Sequence, residues 1–164
     1  MQLKNQVEWA LHCCAILAGL GPNRYLPTRD LAELHGVPKE YLSKALQALS
    51  HAGIVDGTLG PSGGYRLART AGAITFLDIV EAVEGKQSSF VCTEIRRNNP
   101  CRGSMTPGAG DARPCAIARV MWAADQAWRK SLSGVTLAEL AKTLEKTVPA
   151  SLLKKTAAWV EART

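Results

Sequence analysis

Apolar residues at helical spacing dominate the start of the chain and predict a helix over residues 3–19. One apolar stripe comprises Leu3, Val7, Leu11, Cys14 and Ala18. A second set, on nearly the opposite side, comprises Trp9, Cys13, Ile16 and Leu20. A helix that is apolar on two faces needs two packing partners. We therefore expect its own domain to cover one face, and a second subunit or a C-terminal helix to cover the other.

Two shorter helical patterns follow, joined by a tight turn at Gly36. Thr28 is expected to cap the first helix, over residues 29–35, through its side-chain oxygen. Pro38 suits the start of the second helix, which runs to about residue 51, because its fixed φ and missing N–H fit a first helical turn. Two helices connected in this way are typical of a helix-turn-helix.

The second of these helices has an outward face of charged and polar side chains. Such a face can contact DNA phosphates and base edges, although an ordinary solvated helix surface has the same composition. The predicted DNA contacts in this region are Thr28, Lys39, Glu40, Tyr41, Ser43, Lys44 and Gln47.

A glycine-rich segment, residues 56–64, separates two short β patterns at residues 54–55 and 65–67. A hairpin directly after a helix-turn-helix is a wing, and its glycines allow the backbone to approach a phosphate closely. This context favours DNA binding over a merely solvated surface. The predicted wing contacts are Ser62, Gly63, Gly64 and Tyr65.

The rest of the chain predicts three or four helices and one long polar loop. Thr75 is expected near the start of a helix over residues 74–83, and a long helix runs from Cys115 to about residue 132. Thr136 is expected to cap a helix over residues 137–145, and residues 149–159 also have a helical pattern. Long loops without secondary structure are usually functional or disordered, and Cys92 and Cys101 in this one favour function.

Together these elements predict a mainly α fold, a winged helix-turn-helix with a β-hairpin wing and a long C-terminal dimerisation helix. The long helix exceeds what the core of a winged domain needs, so we interpret it as a dimerisation arm. The expected segments are the DNA-binding domain at residues 1–85, a cysteine-bearing loop at residues 86–114, and the dimerisation helix with a helical tail at residues 115–164.

Composition adds a partner class and a compartment. The 164 residues carry a net charge of +6, which favours an anionic partner such as DNA, although ordinary surface charge remains the alternative. There is no apolar run of about 18 residues and no export signal, so we expect a cytoplasmic protein that does not enter membranes. Its five cysteines then indicate metal ligands or redox thiols before disulfides. Cys13 and Cys14 lie on apolar faces and are expected in the core.

The wing sequence Gly60–Leu67 and the segment Asp78–Gly85 precede three cysteines and an alanine-rich helix. With Leu31–Glu33 in the second helix, this combination resembles the bacterial Rrf-type winged-helix iron–sulfur transcription regulators, the family of IscR, NsrR and RsrR. The likeness covers roughly residues 1–145. Residues 8–14 and 90–96 are most similar to the RsrR type.

The resemblance implies a homodimeric DNA-binding regulator with an iron–sulfur cluster held across the subunit interface, most simply [2Fe-2S]. Cysteines of one subunit would bind it with first-helix side chains of the other. The implied ligands are Glu8, His12, Cys92, Cys101 and Cys115. The cysteines are spaced more widely than is usual in the family, so which two or three of them bind stays open. Trp9, next to Glu8, is the expected switch residue, moving between two packings when the redox state changes.

Several other functions agree with the same residues. A regulator of this fold could hold structural zinc through cysteines and a histidine. It could sense oxidants directly through its thiols. It could also carry another type of iron–sulfur cluster and respond to nitric oxide or cluster supply. A thiol-based redox enzyme is disfavoured because the sequence has no C-x-x-C motif, so we expect no enzymatic activity.

Overall fold

The computed structural model describes residues 3–58, 60, 63–102 and 113–164. The helices, in chain order, are α1 Asn5–Leu17, α2 Thr28–His35, α3 Lys39–His51, α4 Phe76–Glu84, α5 Ala116–Ser133, α6 Leu137–Thr147 and α7 Ala150–Glu161. One hairpin, β1 Val55–Thr58 and β2 Gly64–Leu67, lies between α3 and α4. Short 3-10 turns occupy Ala71–Ala73, Ile95–Asn98 and Pro100–Arg102.

The chain divides into two compact units. The larger unit contains the described residues up to Lys86 together with Leu132–Thr164, and the smaller unit is Gln87–Ser131. The predicted third segment, residues 115–164, is therefore divided between the two units. Within the described residues, no helix is both long enough and apolar enough to cross a membrane.

The core of the larger unit is shared by α1, the two helices predicted as a helix-turn-helix, and apolar residues that follow them in the chain. Gly36 ends α2 in the left-handed conformation, at φ 62°, which glycine adopts without steric cost. The turn directs α3 back across the core, where Leu42, Leu46 and Leu49 are fully buried. Cys13 and Cys14 are also fully buried, which confirms their expected place in the core.

The expected cap at Thr28 is wrong. Thr28 is the first residue of α2, and Pro27 occupies the capping position with an extended backbone and no side-chain hydrogen bond to the helix. A side chain caps a helix only from the extended residue that precedes it, because only there does its oxygen face the free N–H groups. The helix therefore begins one residue earlier than its sequence suggests.

The wing is an antiparallel hairpin with Val55 opposite Leu67 and Thr58 opposite Gly64. Its first strand extends further than predicted, to Thr58. A third piece of extended chain joins the hairpin, because Leu26 and Tyr65 exchange two backbone hydrogen bonds, each 3.0 Å long. The segment before α2 is thereby attached to the base of the wing.

The two threonines expected at helix starts, Thr75 and Thr136, are both caps, and each belongs to a reciprocal capping box. Thr75 Oγ1 accepts from the Asp78 N–H, and the Asp78 carboxylate accepts from the Thr75 N–H. Thr136 and Glu139 form the same reciprocal pair at the start of α6. The box at Thr136 starts α6 at the predicted residue, whereas the box at Thr75 starts α4 at Phe76, two residues later than predicted.

The C-terminal helices α6 and α7 belong to the larger unit. Backbone bonds of 3.0 Å join Phe76 N–H to the Val135 carbonyl and Leu137 N–H to the Ile74 carbonyl. Leu137 is 1% exposed and lies in the core. Since α6 also contacts α1, a C-terminal helix contributes to covering the two-faced first helix.

The residues at and just after the end of α7 contact α2 and the loop before it through charged side chains. The Arg163 guanidinium stacks 3.7 Å from the ring centre of Trp159 and lies 3.7 Å from a Glu33 carboxylate oxygen. It also approaches Asp30, which is the one charged side chain among the buried residues of the described chain, at 4.0 Å. A second pair, Arg24 with Glu161 at 2.5 Å, ties α7 to the loop before α2.

Candidate nucleic-acid interface and metal-binding loop

The outward face of α3 has the exposed, mostly polar character that the sequence predicts. The exposed members of the predicted contact set are Lys39, Glu40, Tyr41, Lys44 and Gln47. Tyr41 is 55% exposed, and the Lys44 ammonium lies 5.7 Å from its ring centre, so an aromatic surface and a cation are presented together. Ser43 is only half-buried, but its hydroxyl donates to the Lys39 carbonyl within the helix, at 2.8 Å. Thr28 is half-buried at the start of α2.

The predicted wing contacts lie in different environments. Gly63 is half-buried just before β2, and the ring of Tyr65 packs against Gly57 and the core. Gly64 is buried, and a Cβ there would lie 2.5 Å from the carbonyl group of Leu26. Close packing of backbones therefore requires glycine at position 64, independently of any DNA contact. Ser62 lies outside the described residues.

Glu8 and His12 lie one turn apart on the exposed side of α1. Both line a groove of about 390 Å³ whose other walls are mostly apolar side chains, from α1, α4 and α6 and from the residues just before α1. Among the described residues, Glu8 has no hydrogen-bond or ion-pair partner. The His12 ring lies 5.6 Å, centre to centre, from His35, whose pKa is lowered by burial and by the nearby His12. Trp9, between them in sequence, is half-buried against the core.

All three loop cysteines are free thiols that reach the surface. Cys92 and Cys115 are half-buried, and Cys101 is exposed. The Cys115 side chain lies directly before α5, where the backbone N–H groups of Ala118 and Ile117 lower its pKa. Free N–H groups at a helix start stabilise a thiolate in this way. The sequence places Cys115 in the helix, whereas the structure places it just before the first helical residue.

The two core cysteines differ sharply from the three in the loop. Burial raises the pKa of Cys13 to about 12, and burial followed by the neighbouring Cys13 raises that of Cys14 still further. A buried thiol that does not ionise is a poor nucleophile and a poor metal ligand. The reactive sulfur chemistry of this chain is therefore confined to the smaller unit.

Two charged residues that organise this loop, Glu94 and Arg96, were not among the functional residues predicted from the sequence. Glu94 Oε1 lies 3.7 Å from Cys92 Sγ, and Arg96 donates to the other carboxylate oxygen at 2.5 Å. The hydrogen bond from Arg96 lowers the pKa of Glu94 below its ordinary value, and the positive charge of Arg96 adds to this effect, although burial opposes it. The sequence did contain a signal for them, because Glu94 and Arg96 follow Cys92 by two and four residues.

The donor chemistry fits an iron–sulfur cluster. Thiolates are the usual cluster ligands, and an imidazole can replace one of them. The smaller unit supplies three accessible thiols, and α1 supplies an accessible carboxylate and imidazole on one side. Within the described part of one chain, no three histidine, cysteine or acidic side chains are grouped closely enough to hold a metal ion.

Three helices, a hairpin after the third and an exposed, mostly polar face on that helix define a winged helix-turn-helix DNA-binding regulator. The chain belongs to the Rrf2 family of iron-dependent transcriptional regulators, whose model matches residues 3–143. The predicted fold class and family are thereby confirmed.

Known relatives and solved structures agree with this assignment. Protein rrf2 of Nitratidesulfovibrio vulgaris strain Hildenborough is 30% identical over 141 residues, which are 85% of this chain and 87% of the relative. IscR of T. potens matches with a TM-score of 0.66 at 21% identity, over 92% of this chain and 93% of that one. CymR of Staphylococcus aureus in its oxidized form matches with a TM-score of 0.62 at 22% identity, over 86% and 96%. At these identities the two structures establish the fold.

Proposed function

We propose that this chain is a homodimeric transcriptional regulator that senses redox state through a [2Fe-2S] cluster held across its subunit interface. The observation that carries the proposal is Cys115, an accessible thiol whose pKa is lowered by the start of α5. The same loop carries Cys92 and Cys101, which are also accessible. Membership of an iron-dependent regulator family supports a metal at these thiols.

The proposed dimer rests on the exposed apolar side chains of α5. Ile117 and Val120 are 67% and 68% exposed, and Met121 and Trp122 are also exposed. Ile117, Val120 and Met121 follow i, i+3, i+4 spacing, so they share one face of the helix. A self-complementary apolar stripe of this kind suits two-fold packing against a second copy.

Within such a dimer, cysteines of one subunit would bind the cluster together with Glu8 and His12 of the other. A bound [2Fe-2S] cluster supplies reversible one-electron chemistry. Glu8 is available because no described residue pairs with its carboxylate. His12 is exposed, and its contact with His35 orients its ring at the end of α2. The particular likeness to the RsrR type stays a prediction.

Trp9 is the proposed link between this centre and DNA binding. It follows Glu8 in α1, and its half-buried side chain packs against the same core as α2 and α3. A change in the force that the cluster exerts on Glu8 would therefore move the Trp9 side chain in that core. This movement would change the distance between the two α3 helices of the dimer. Recognition helices of a dimer must match half-sites about one DNA turn apart.

The experiment that tests the proposal is the visible absorption spectrum, with iron and sulfide content, of protein purified without oxygen. We expect a cluster spectrum with about two irons and two sulfides per site. Cys115→Ser should remove it, and His12→Ala should shift it. His51→Ala is the matched control, because His51 is an exposed histidine outside the ligand set. In loaded protein, Trp9→Ala should reduce the difference in DNA affinity between the two redox states.

The spectrum also separates the alternatives. A colourless protein that contains zinc would mean that the site holds a structural metal and not a cluster. A spectrum typical of a four-iron cluster would mean a different cluster type and a different expected signal. A spectrum unchanged in both Cys115→Ser and His12→Ala would contradict the ligand set. Equal effects of Trp9→Ala on both redox states would contradict the relay.

Direct thiol sensing is the second candidate, and the lowered pKa of Cys115 favours it. A thiolate is oxidised more readily than a thiol. One structure with the same fold is that of Staphylococcus aureus CymR in an oxidized form. DNA-binding measurements on metal-free protein distinguish cluster-based sensing from direct thiol sensing. If peroxide changes its DNA affinity and Cys115→Ser abolishes that change, the thiol is the sensor.

DNA binding through α3 gives a prediction of its own. Lys44→Ala should weaken binding to DNA of any sequence. It should also make the slope of log K against log salt concentration shallower by about 0.9, the value for one phosphate contact. Lys154→Ala is the control, because it removes an exposed lysine from α7 instead of α3. Equal slopes for the two variants would contradict a phosphate contact at Lys44. Titrations at several salt concentrations measure the slope.

A further inference from the structure

Arg96 connects two stretches of the cysteine loop that are distant in sequence. Its Nε donates to Glu94 Oε2 at 2.5 Å, and its Nη2 donates to the Arg113 carbonyl at 2.6 Å. Glu94 follows Cys92 by two residues, and Arg113 precedes Cys115 by two residues. One guanidinium is therefore bonded next to both cysteines.

The first of these contacts reaches the Cys92 thiol itself. One oxygen of the Glu94 carboxylate lies 3.7 Å from Cys92 Sγ, while the other accepts from Arg96. Glu94 adopts the left-handed conformation, at φ 55°, which is unfavourable for a residue with a Cβ. Such a conformation persists when surrounding contacts impose it. The contacts with Cys92 and Arg96, together with the hydrogen bond from the Arg97 N–H to the Glu94 carbonyl, restrain this residue.

The second contact fixes the approach to Cys115. The Arg113 carbonyl belongs to the short segment that leads through Pro114 to Cys115 and the start of α5. A hydrogen bond from a charged donor to a backbone carbonyl is stronger than one between neutral groups. Arg96 and Glu94 are about two-thirds or more buried, so water screens this pair less than it screens an exposed one.

We infer that Arg96 is a positioning residue that holds Cys92 and Cys115 in one ligand site by bonding to both ends of the loop. The inference rests on the proposed function for the metal, but the connection itself belongs to the metal-free chain. Arginine is required because its planar fork donates in two directions at once, whereas lysine offers a single point of charge.

Crosslinking of the metal-free, full-length chain tests the connection. In a Cys101→Ser background, Cys92 and Cys115 are the accessible thiols, because Cys13 and Cys14 are buried. A short bismaleimide should join Cys92 to Cys115, as mapped by mass spectrometry. We expect Arg96→Gln and Arg96→Lys to reduce the crosslink at least five-fold while each thiol still reacts singly. Arg97→Gln, which removes the neighbouring exposed arginine, should leave the yield unchanged.

A second measurement separates positioning from general damage to the fold. Thermal unfolding of Arg96→Gln and Arg97→Gln should agree, since neither side chain belongs to the hydrophobic core of the larger unit. In cluster-loaded protein, Arg96→Gln should lower the reduction potential, because a positive charge near the thiolates is lost, and Arg96→Lys should restore it in part. Crosslink yields for Arg96→Gln equal to those of the unsubstituted chain would overturn the inference. A chain that crosslinks as expected but carries no cluster would overturn the proposed function instead.

Discussion

Replacing Gly64 by alanine is expected to destabilise the wing and the larger unit that carries it. A Cβ at this position would lie 2.5 Å from both the carbonyl carbon and oxygen of Leu26, and 2.7 Å from the nitrogen of Pro27. All three are backbone atoms, so no flexible side chain can move aside. Inserting even one carbon into a tightly packed site typically costs about 1–3 kcal/mol.

The clash can be relieved only by separating β2 from the segment before α2. That movement would stretch the two hydrogen bonds between Leu26 and Tyr65, each 3.0 Å long. Leu26 is itself fully buried, so its displacement would also disturb the core beneath the wing. We therefore expect lost stability and lost DNA affinity together, since the wing and α3 share this core.

Urea unfolding monitored by circular dichroism measures the effect. Gly72→Ala is the matched control, because a Cβ there meets no atom within 4 Å and the glycine has an ordinary φ. Its free energy of unfolding should change by less than about 0.5 kcal/mol. If Gly64→Ala were equally neutral while DNA affinity fell, position 64 would act at the DNA backbone and not in packing.

Local signals predicted the helices well. Each capping box, at Thr75 and at Thr136, involves residues within a single helical turn. Gly36 comes directly after the last residue of α2. Thr28 failed because Pro27 beside it adopts the extended backbone of a cap, and a sequence pattern does not distinguish two adjacent candidates. The physical information was local in every case, and the predicted starts of α1, α2 and α4 differ from the observed ones by one or two residues.

The candidate site was predictable only in its chemistry. Cysteine type and position indicated which thiols could bind a metal, but the connection made by Arg96 joins residues 17 apart in the chain. The requirement for glycine at position 64 likewise depends on pairing with Leu26, which is remote in sequence. Contacts between residues that are distant in the sequence depend on the complete fold, so they cannot be predicted from composition and periodicity.

The attachment of α6 to the larger unit agrees with one of the two expectations for the second face of α1, and Leu137→Ala tests it. Periodicity identified α6 as an amphipathic helix but not the core that its apolar face covers. Leu137 is 1% exposed in the core of the larger unit, so its replacement by alanine should cost about 2–5 kcal/mol through lost burial and a cavity.

Leu152→Ala is the matched control, because Leu152 lies in the next helix and is 52% exposed. It should cost well under half as much in the same urea titration, since little apolar surface is lost there. Equal costs would mean that the C-terminal helices do not share the core of the DNA-binding part. The expected difference would instead mean that residues beyond α5 stabilise the helix-turn-helix directly, so that truncating the chain after α5 would impair DNA binding through stability, without touching a DNA contact.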